Sequence, residues 1–146
     1  MIGLDTNILV ADAIPDHPAH TTVRRELDAL LSQGHEFALT SAVLSEFIHI
    51  ATDSRRFRFP LSIPEALAQA TFWSDAEEAF LIATDLPAHR QWLRWLDEHG
   101  LGRKRLLDTL LAATWHAAGI REILTLNPRD FEIFGVFTVH AIDLEG

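Results

Sequence analysis

Ile2-Gly3-Leu4-Asp5-Thr6-Asn7-Ile8-Leu9-Val10 opens the chain and decides how the rest is read. Ile2 to Leu4 is a short apolar run of the kind that makes a buried strand. Asp5-Thr6-Asn7 then offers side-chain oxygens suited to capping a helix N-terminus. A strand passing directly into a helix is the unit, and it recurs along the chain. Pro18 to Ser32 places Val23, Leu27, Leu30 and Leu31 at helical spacing, and Gly34 closes that helix. Glu36 to Thr40 reads as a second strand. Ser41 follows as the expected cap of a helix with Val43, Leu44, Phe47, Ile48 and Ala51 on its apolar side. Residues 54–61 are basic, aromatic and interrupted by proline, which predicts a loop. Ile63 to Trp73 should be helical, with Pro64 in its first turn. Ala79 to Ala83 reads as a strand, Pro87 to His99 as a helix ended by Gly100, and Gly100 to Arg105 as a basic loop. Leu106 to Ala118 is a strongly apolar helix ended by Gly119, and Glu122 to Thr125 and Phe137 to Ala141 are the last strands. Strands alternating with helices imply an α/β fold, with a mostly parallel sheet covered on both faces.

The chain has 146 residues, nearly half of them apolar, which fits a single domain over residues 1–146 with a real core. It contains no cysteine, so a disulfide scaffold and a thiolate zinc site are excluded. No apolar run reaches the length of a membrane span. The N-terminus lacks the basic and apolar regions of a secretory leader, and a cytoplasmic location is expected. The formal net charge of -9 argues against nucleic-acid binding on its own, because phosphate is usually met by a basic surface. Divalent cations held by acids can reverse that argument. Two local basic clusters, Arg55-Arg56-Phe57-Arg58 and Arg103-Lys104-Arg105, can outweigh the total.

In a parallel α/β sheet, ligands bind outside the carboxyl ends of the strands. Asp5 stands where the first strand should end. Glu46 lies inside the helix after the second strand, Asp108 at the start of the helix after the basic loop, and Thr125-Leu126-Asn127 at the end of a later strand. Phosphodiester hydrolysis suits such an edge: the water must lose a proton and the transition state gains negative charge. Mg²⁺ or Mn²⁺ serves both needs, and carboxylate oxygens are its preferred ligands. Each acid also has a plainer reading. Asp5 can be a helix cap, Glu46 a solvated helix residue, and Asp108 a partner of the helix dipole. Asp108 is the most suggestive, because it stands within Leu106-Leu107-Asp108-Thr109-Leu110-Leu111, where an unpaired charge is costly.

Other residues carry weaker signals. His17 and His20, with Asp12 nearby, have metal-ligand spacing but no second cluster completes a zinc site. His116 lies two turns after Asp108 and is read as packed rather than catalytic. Helical spacing around Trp73, Trp92, Trp95 and Trp115 favours packing over base stacking. Arg103, Lys104 and Arg105 form either a solvated loop or a phosphate-guiding one. An aspartyl-phosphate phosphatase would want a second acid two residues after Asp5, where Asn7 stands. A non-enzymatic binding domain has no need of Asp5, Glu46 and Asp108 together.

At these residues the chain resembles the PIN domains, specifically the VapC-type ribonuclease toxins of bacterial toxin–antitoxin pairs. Residues Ile2 to Val10 resemble the family's opening, Ser41-Ala42-Val43-Leu44-Ser45-Glu46-Phe47 its second acidic motif, and Leu107-Asp108-Thr109-Leu110-Leu111-Ala112-Ala113 its third. Leu124-Thr125-Leu126-Asn127-Pro128-Arg129-Asp130-Phe131 resembles the closing motif. The resemblance covers essentially the whole chain. It implies a three-layer α/β/α fold on a five-stranded, mostly parallel sheet, Mg²⁺-dependent RNA cleavage (Mn²⁺ substituting), a cognate antitoxin and a homodimer. It carries metal-binding and catalytic roles onto Asp5, Glu46 and Asp108. One position departs: the family often has a fourth acid where Asn127 stands. An amide oxygen can ligate but lacks the charge. Asn127 is taken as the fourth catalytic residue, with Asp130 the alternative; Thr6 and Thr125 bring hydroxyls that can orient a ligand or water.

Overall fold

The structure is a computed structural model and describes residues 1–142. Its elements run β1 (Ile2–Leu4), α1 (Thr6–Ala13), α2 (His20–Ser32), β2 (Phe37–Leu39), α3 (Ser41–Ala51), α4 (Ile63–Asp75) and β3 (Ala79–Leu81). They continue with α5 (Leu86–Glu98), a 3₁₀ turn (Arg103–Arg105), α6 (Leu106–Ala117), β4 (Glu122–Thr125), α7 (Arg129–Glu132) and β5 (Thr138–Ala141). The sheet has the order β3-β2-β1-β4-β5, and every pairing is parallel. The sheet is thus wholly parallel where a mostly parallel one was predicted. Ile2 lies opposite Phe37 on one side and Glu122 on the other.

From β1 the chain steps outward to β2 and β3, then crosses back to place β4 on the other flank of β1. Helices α1 to α4 pack among themselves, as do α5, α6 and α7, in keeping with right-handed crossovers that put the two groups on opposite faces. The direction of winding reverses between β1 and β4, so a crevice opens there at the carboxyl ends of the strands. β1, β2 and the inner part of β4 are fully buried, which is why these strands read as continuous apolar runs.

Trp115 of α6 is completely buried beneath β1. A Cβ at Gly3 would stand 2.7 Å from the Trp115 ring, so this glycine is the space into which the indole fits. Gly34, Gly100 and Gly119 all follow helices with positive φ, as the sequence predicted for helix terminators.

Some boundaries differ from expectation. Thr40, not Ser41, caps α3: its backbone is extended, and its Oγ1 accepts the Val43 N–H at 3.1 Å. Helix α2 begins at His20 rather than Pro18. The His17 Nδ1 accepts the Ala19 N–H at 3.0 Å, and this local bond holds the preceding segment in a turn. β3 ends at Leu81 instead of Ala83. The short helix α7 was not anticipated; Pro128 starts it, and the fully buried Phe131 anchors it against Trp115. Among the described residues, no helix is long and apolar enough to cross a membrane.

Candidate active site

Asp5 ends β1 and is the N-cap of α1, so its capping role and its place in the crevice coexist. Its Oδ1 accepts the Thr6 N–H at 2.8 Å. Its Oδ2 accepts the Thr125 hydroxyl at 2.7 Å and the Asn7 amide at 3.2 Å. Asn7 also accepts the Leu126 N–H at 3.1 Å, and Thr125 Oγ1 accepts the Asn127 N–H at 3.0 Å. The ends of β1 and β4 are therefore laced together around one carboxylate. Charge-assisted bonds of this kind fix a rotamer while leaving other oxygen lone pairs for a ligand.

Glu46 projects from the middle of α3 and accepts the Thr6 hydroxyl at 3.2 Å. Asp108 stands in the first turn of α6, and Asp130 in α7. Asp5, Glu46, Asp108, Asn127 and Asp130 all line one cavity of about 300 Å³. All four residues taken from the sequence as catalytic are thus brought together. Asn127, the predicted fourth, is exposed, while Asp130 is half-buried. Thr6 and Thr125 act on the acids by hydrogen bonding to them.

The cluster carries its own electrostatic strain. Burial pushes the Asp5 carboxyl above its ordinary value against the pull of the Thr125 and Thr6 hydrogen bonds, and the charges of Glu46 and Asp130 add to the rise. Burial, followed by the charges of Asp5 and Asp130, pushes Asp108 up to about 6, with Arg105 opposing and Glu46 adding a little. Groups shifted by burial and by one another in a cleft mark functional sites more often than structural ones.

Arg105 departs from the expected basic loop. Its Nε lies 3.9 Å from Asp108 Oδ2 and its Nη1 3.9 Å from Asp130 Oδ1, while Nη2 donates to the Asp130 carbonyl at 2.6 Å. The guanidinium is folded onto the acids and faces away from open solvent. Arg103 and Lys104 remain exposed beside it. The same cavity is also lined by His17, Ile50, Arg56 and Phe57, which the sequence did not connect with the acids. The basic Arg55-Arg56-Phe57-Arg58 run was the available signal, but nothing local revealed which part of it turns inward.

The remaining candidates fall outside the crevice. His116 packs on Trp95 with ring centroids 5.2 Å apart. Trp73, Trp95 and Trp115 are buried, and Trp92 donates its indole N–H to the Leu106 carbonyl at 2.9 Å. His20 meets the Ala11 carbonyl at 2.8 Å. Among the described residues, no three His, Asp or Glu side chains converge tightly enough to enclose an ion as they stand.

The chain matches the PIN domain over residues 2–135. It is similar to Ribonuclease VapC31 of Mycobacterium tuberculosis, 34% identical over 135 residues that make up 92% of this chain and 93% of that one. Ribonuclease VapC25 of the same species is 32% identical over 114 residues, covering 77% and 80% of the two chains. In backbone the chain is similar to VapBC2 from Rickettsia felis, solved bound to a DNA fragment from its promoter. The TM-score is 0.68 at 18% identity, over 98% of this chain and 100% of that one. With a parallel sheet of the predicted kind, a match that spans most of its length and relatives aligned almost end to end, the chain belongs to the PIN domain family.

Proposed function

We propose that this protein is a Mg²⁺-dependent endoribonuclease and the toxin of a type II toxin–antitoxin pair. The observation that carries the reading is the gathering of Asp5, Glu46, Asp108 and Asp130, from four separate stretches of chain, into one cavity, where burial and the neighbouring acids push the Asp5 and Asp108 carboxyls up. Such repulsion is a cost to the fold unless a cation relieves it. RNA as substrate is supported by the two relatives named ribonucleases, and an antitoxin partner by the VapBC2 complex to which the chain is similar; a homodimer and a cytoplasmic location belong to the same proposal.

The donor set fits Mg²⁺ or Mn²⁺. Every candidate ligand is a hard oxygen, and the spacing that forbids a closed cage suits an ion bound by one or two carboxylates with several waters. Asp5 and Asp108 would hold it, with Glu46 reaching it directly or through water and the exposed Asn127 offering an amide oxygen. When bound, the ion supplies charge neutralisation and a more acidic water. The chain's own residues do the rest. Thr125, Asn7 and the Thr6 N–H keep Asp5 in one orientation, and Thr6 restrains Glu46. Glu46 or Asp130 would accept a proton from a water attacking the phosphate. Arg105 holds Asp108 and Asp130 together as a fixed counter-charge.

The test is cleavage of single-stranded RNA by purified protein. Cleavage in Mg²⁺ or Mn²⁺, lost in EDTA and in Asp5→Asn, is the expected result. Undiminished cleavage under chelation would remove the metal mechanism.

A further inference from the structure

The acidic cavity has lining residues that the carboxylate chemistry does not use. His17, from the turn between α1 and α2, and Arg56 and Phe57, from the connection after α3, line it with Ile50. The connection that carries Arg56 and Phe57 is built firmly. The Arg56 and Phe57 N–H groups both donate to the Asp53 carbonyl, at 3.1 and 3.2 Å, and Leu61 N–H ties the connection back to Ala51 at 2.9 Å. Asp53 also accepts the Arg55 N–H at 2.9 Å, and its carboxylate lies 3.6 Å from the Arg56 guanidinium. Phe57 packs one side on the core and stays half-buried; its ring centroid is 6.4 Å from that of His17, at 45°.

The His17 ring is also fixed in its chemistry. Its Nδ1 accepts the Ala19 N–H, so the proton of the neutral imidazole sits on Nε2. Burial lowers the His17 pKa, and the nearby His20 adds to this, which keeps the ring neutral. Among the described residues Nε2 has no hydrogen-bond partner. One cavity is therefore lined both by an aromatic ring, a fixed donor and a cation and by a carboxylate cluster. A bare phosphate or a metal ion makes no use of the aromatic face.

We propose that His17, Arg56 and Phe57 form a nucleobase subsite for a nucleotide flanking the scissile phosphate of single-stranded RNA. The base stacks on Phe57, His17 Nε2–H donates to an acceptor on its edge, and Arg56 meets the adjoining phosphate. Stacking requires an unpaired base, because the faces of bases in a duplex are covered by their neighbours. A cavity of about 300 Å³ is also at the small end for ligand pockets, the scale of one nucleotide rather than of a helix. This inference rests on the ribonuclease reading above and deepens it by assigning a residue-level source of nucleotide preference.

The experiment is Mg²⁺-dependent cleavage of a randomised single-stranded RNA pool, with product ends sequenced and KM and kcat measured separately. The full chain is compared with Phe57→Leu, Phe57→Trp and His17→Gln, each checked by thermal melting. Wild type should show a nucleotide bias at one position flanking the cut. Phe57→Leu, which keeps apolar packing but loses the ring, should raise KM roughly ten- to hundredfold. Phe57→Trp should restore it, and His17→Gln should change or flatten the bias. If wild type cleaves the pool but Phe57→Leu and His17→Gln keep its KM and bias, the subsite is overturned while the ribonuclease reading stands. Equal losses in Phe57→Leu and Phe57→Trp would overturn stacking. No cleavage by wild type would overturn both readings.

Discussion

Asp108→Asn should stabilise the metal-free protein while abolishing cleavage. The wild-type carboxyl sits at about 6 in the folded state against an ordinary 3.8. That difference corresponds to about 3 kcal/mol of penalty for the charged form at neutral pH. The side chain is 31% exposed, so solvent screening reduces the figure by about half. The net gain, with the opposing pull of Arg105 already included in the shift, is therefore about 1.5 kcal/mol, or about 3–6 °C in Tm for a chain of this size. The sign follows from the direction of the shift. A carboxyl raised on folding favours the folded state while protonated, and that advantage is lost as pH rises from about 4 through about 6. Asparagine does not titrate, so the stability gap between variant and wild type should open across that window. The assay is thermal melting in EDTA near pH 4, 6 and 7.5. A variant that melts lower than wild type at pH 7.5 would refute the reasoning. So would a gain of the same size at pH 4, because it would not come from charge.

Asn127→Ala should lower RNA cleavage and Asn127→Asp should retain or raise it, measured as initial rates in Mg²⁺; if Asp130→Ala alone abolishes cleavage with Tm preserved, the fourth position belongs to Asp130. Gly3→Ala should cost about 1–3 kcal/mol in urea unfolding, since its Cβ would stand 2.7 Å from the buried Trp115 ring; an unchanged midpoint would show that α6 can shift freely. Replacing Arg103 and Lys104 together with alanine should reduce the salt dependence of RNA binding by about one to two counterions, whereas Arg105→Ala should leave it nearly unchanged, because that guanidinium faces the acids. An equal fall in slope for Arg105→Ala would place its charge on the RNA instead.

What could be read from the chain depended on how far apart the interacting residues lie. Helix terminators were legible because a glycine with positive φ acts within its own turn, as Gly34, Gly100 and Gly119 do. The strand ending in Asp5 was legible because β1 is buried on both faces and passes straight into a capped helix. Thr40 and Ser41 are both good caps, and the choice fell to Thr40 through backbone geometry that composition does not report. Helix α7 escaped notice because a single turn has no periodicity; its cause is the long-range burial of Phe131. The acids themselves were recognisable from strand–helix junctions. Arg105 was not, since it looks like its exposed neighbours until Asp130, 25 residues later, is placed beside it. His17 and Phe57 likewise meet only in three dimensions.

The central claim is that Asp5 and Asp108 hold a divalent ion, and the most direct test is Mn²⁺ binding followed by paramagnetic resonance of the free ion. Wild type should bind Mn²⁺ saturably and release it to excess Mg²⁺. Asp5→Asn and Asp108→Asn, each folded by thermal melting, should bind at least tenfold more weakly. Equal Mn²⁺ binding by wild type and both variants would contradict the account, because the ion would then lie elsewhere.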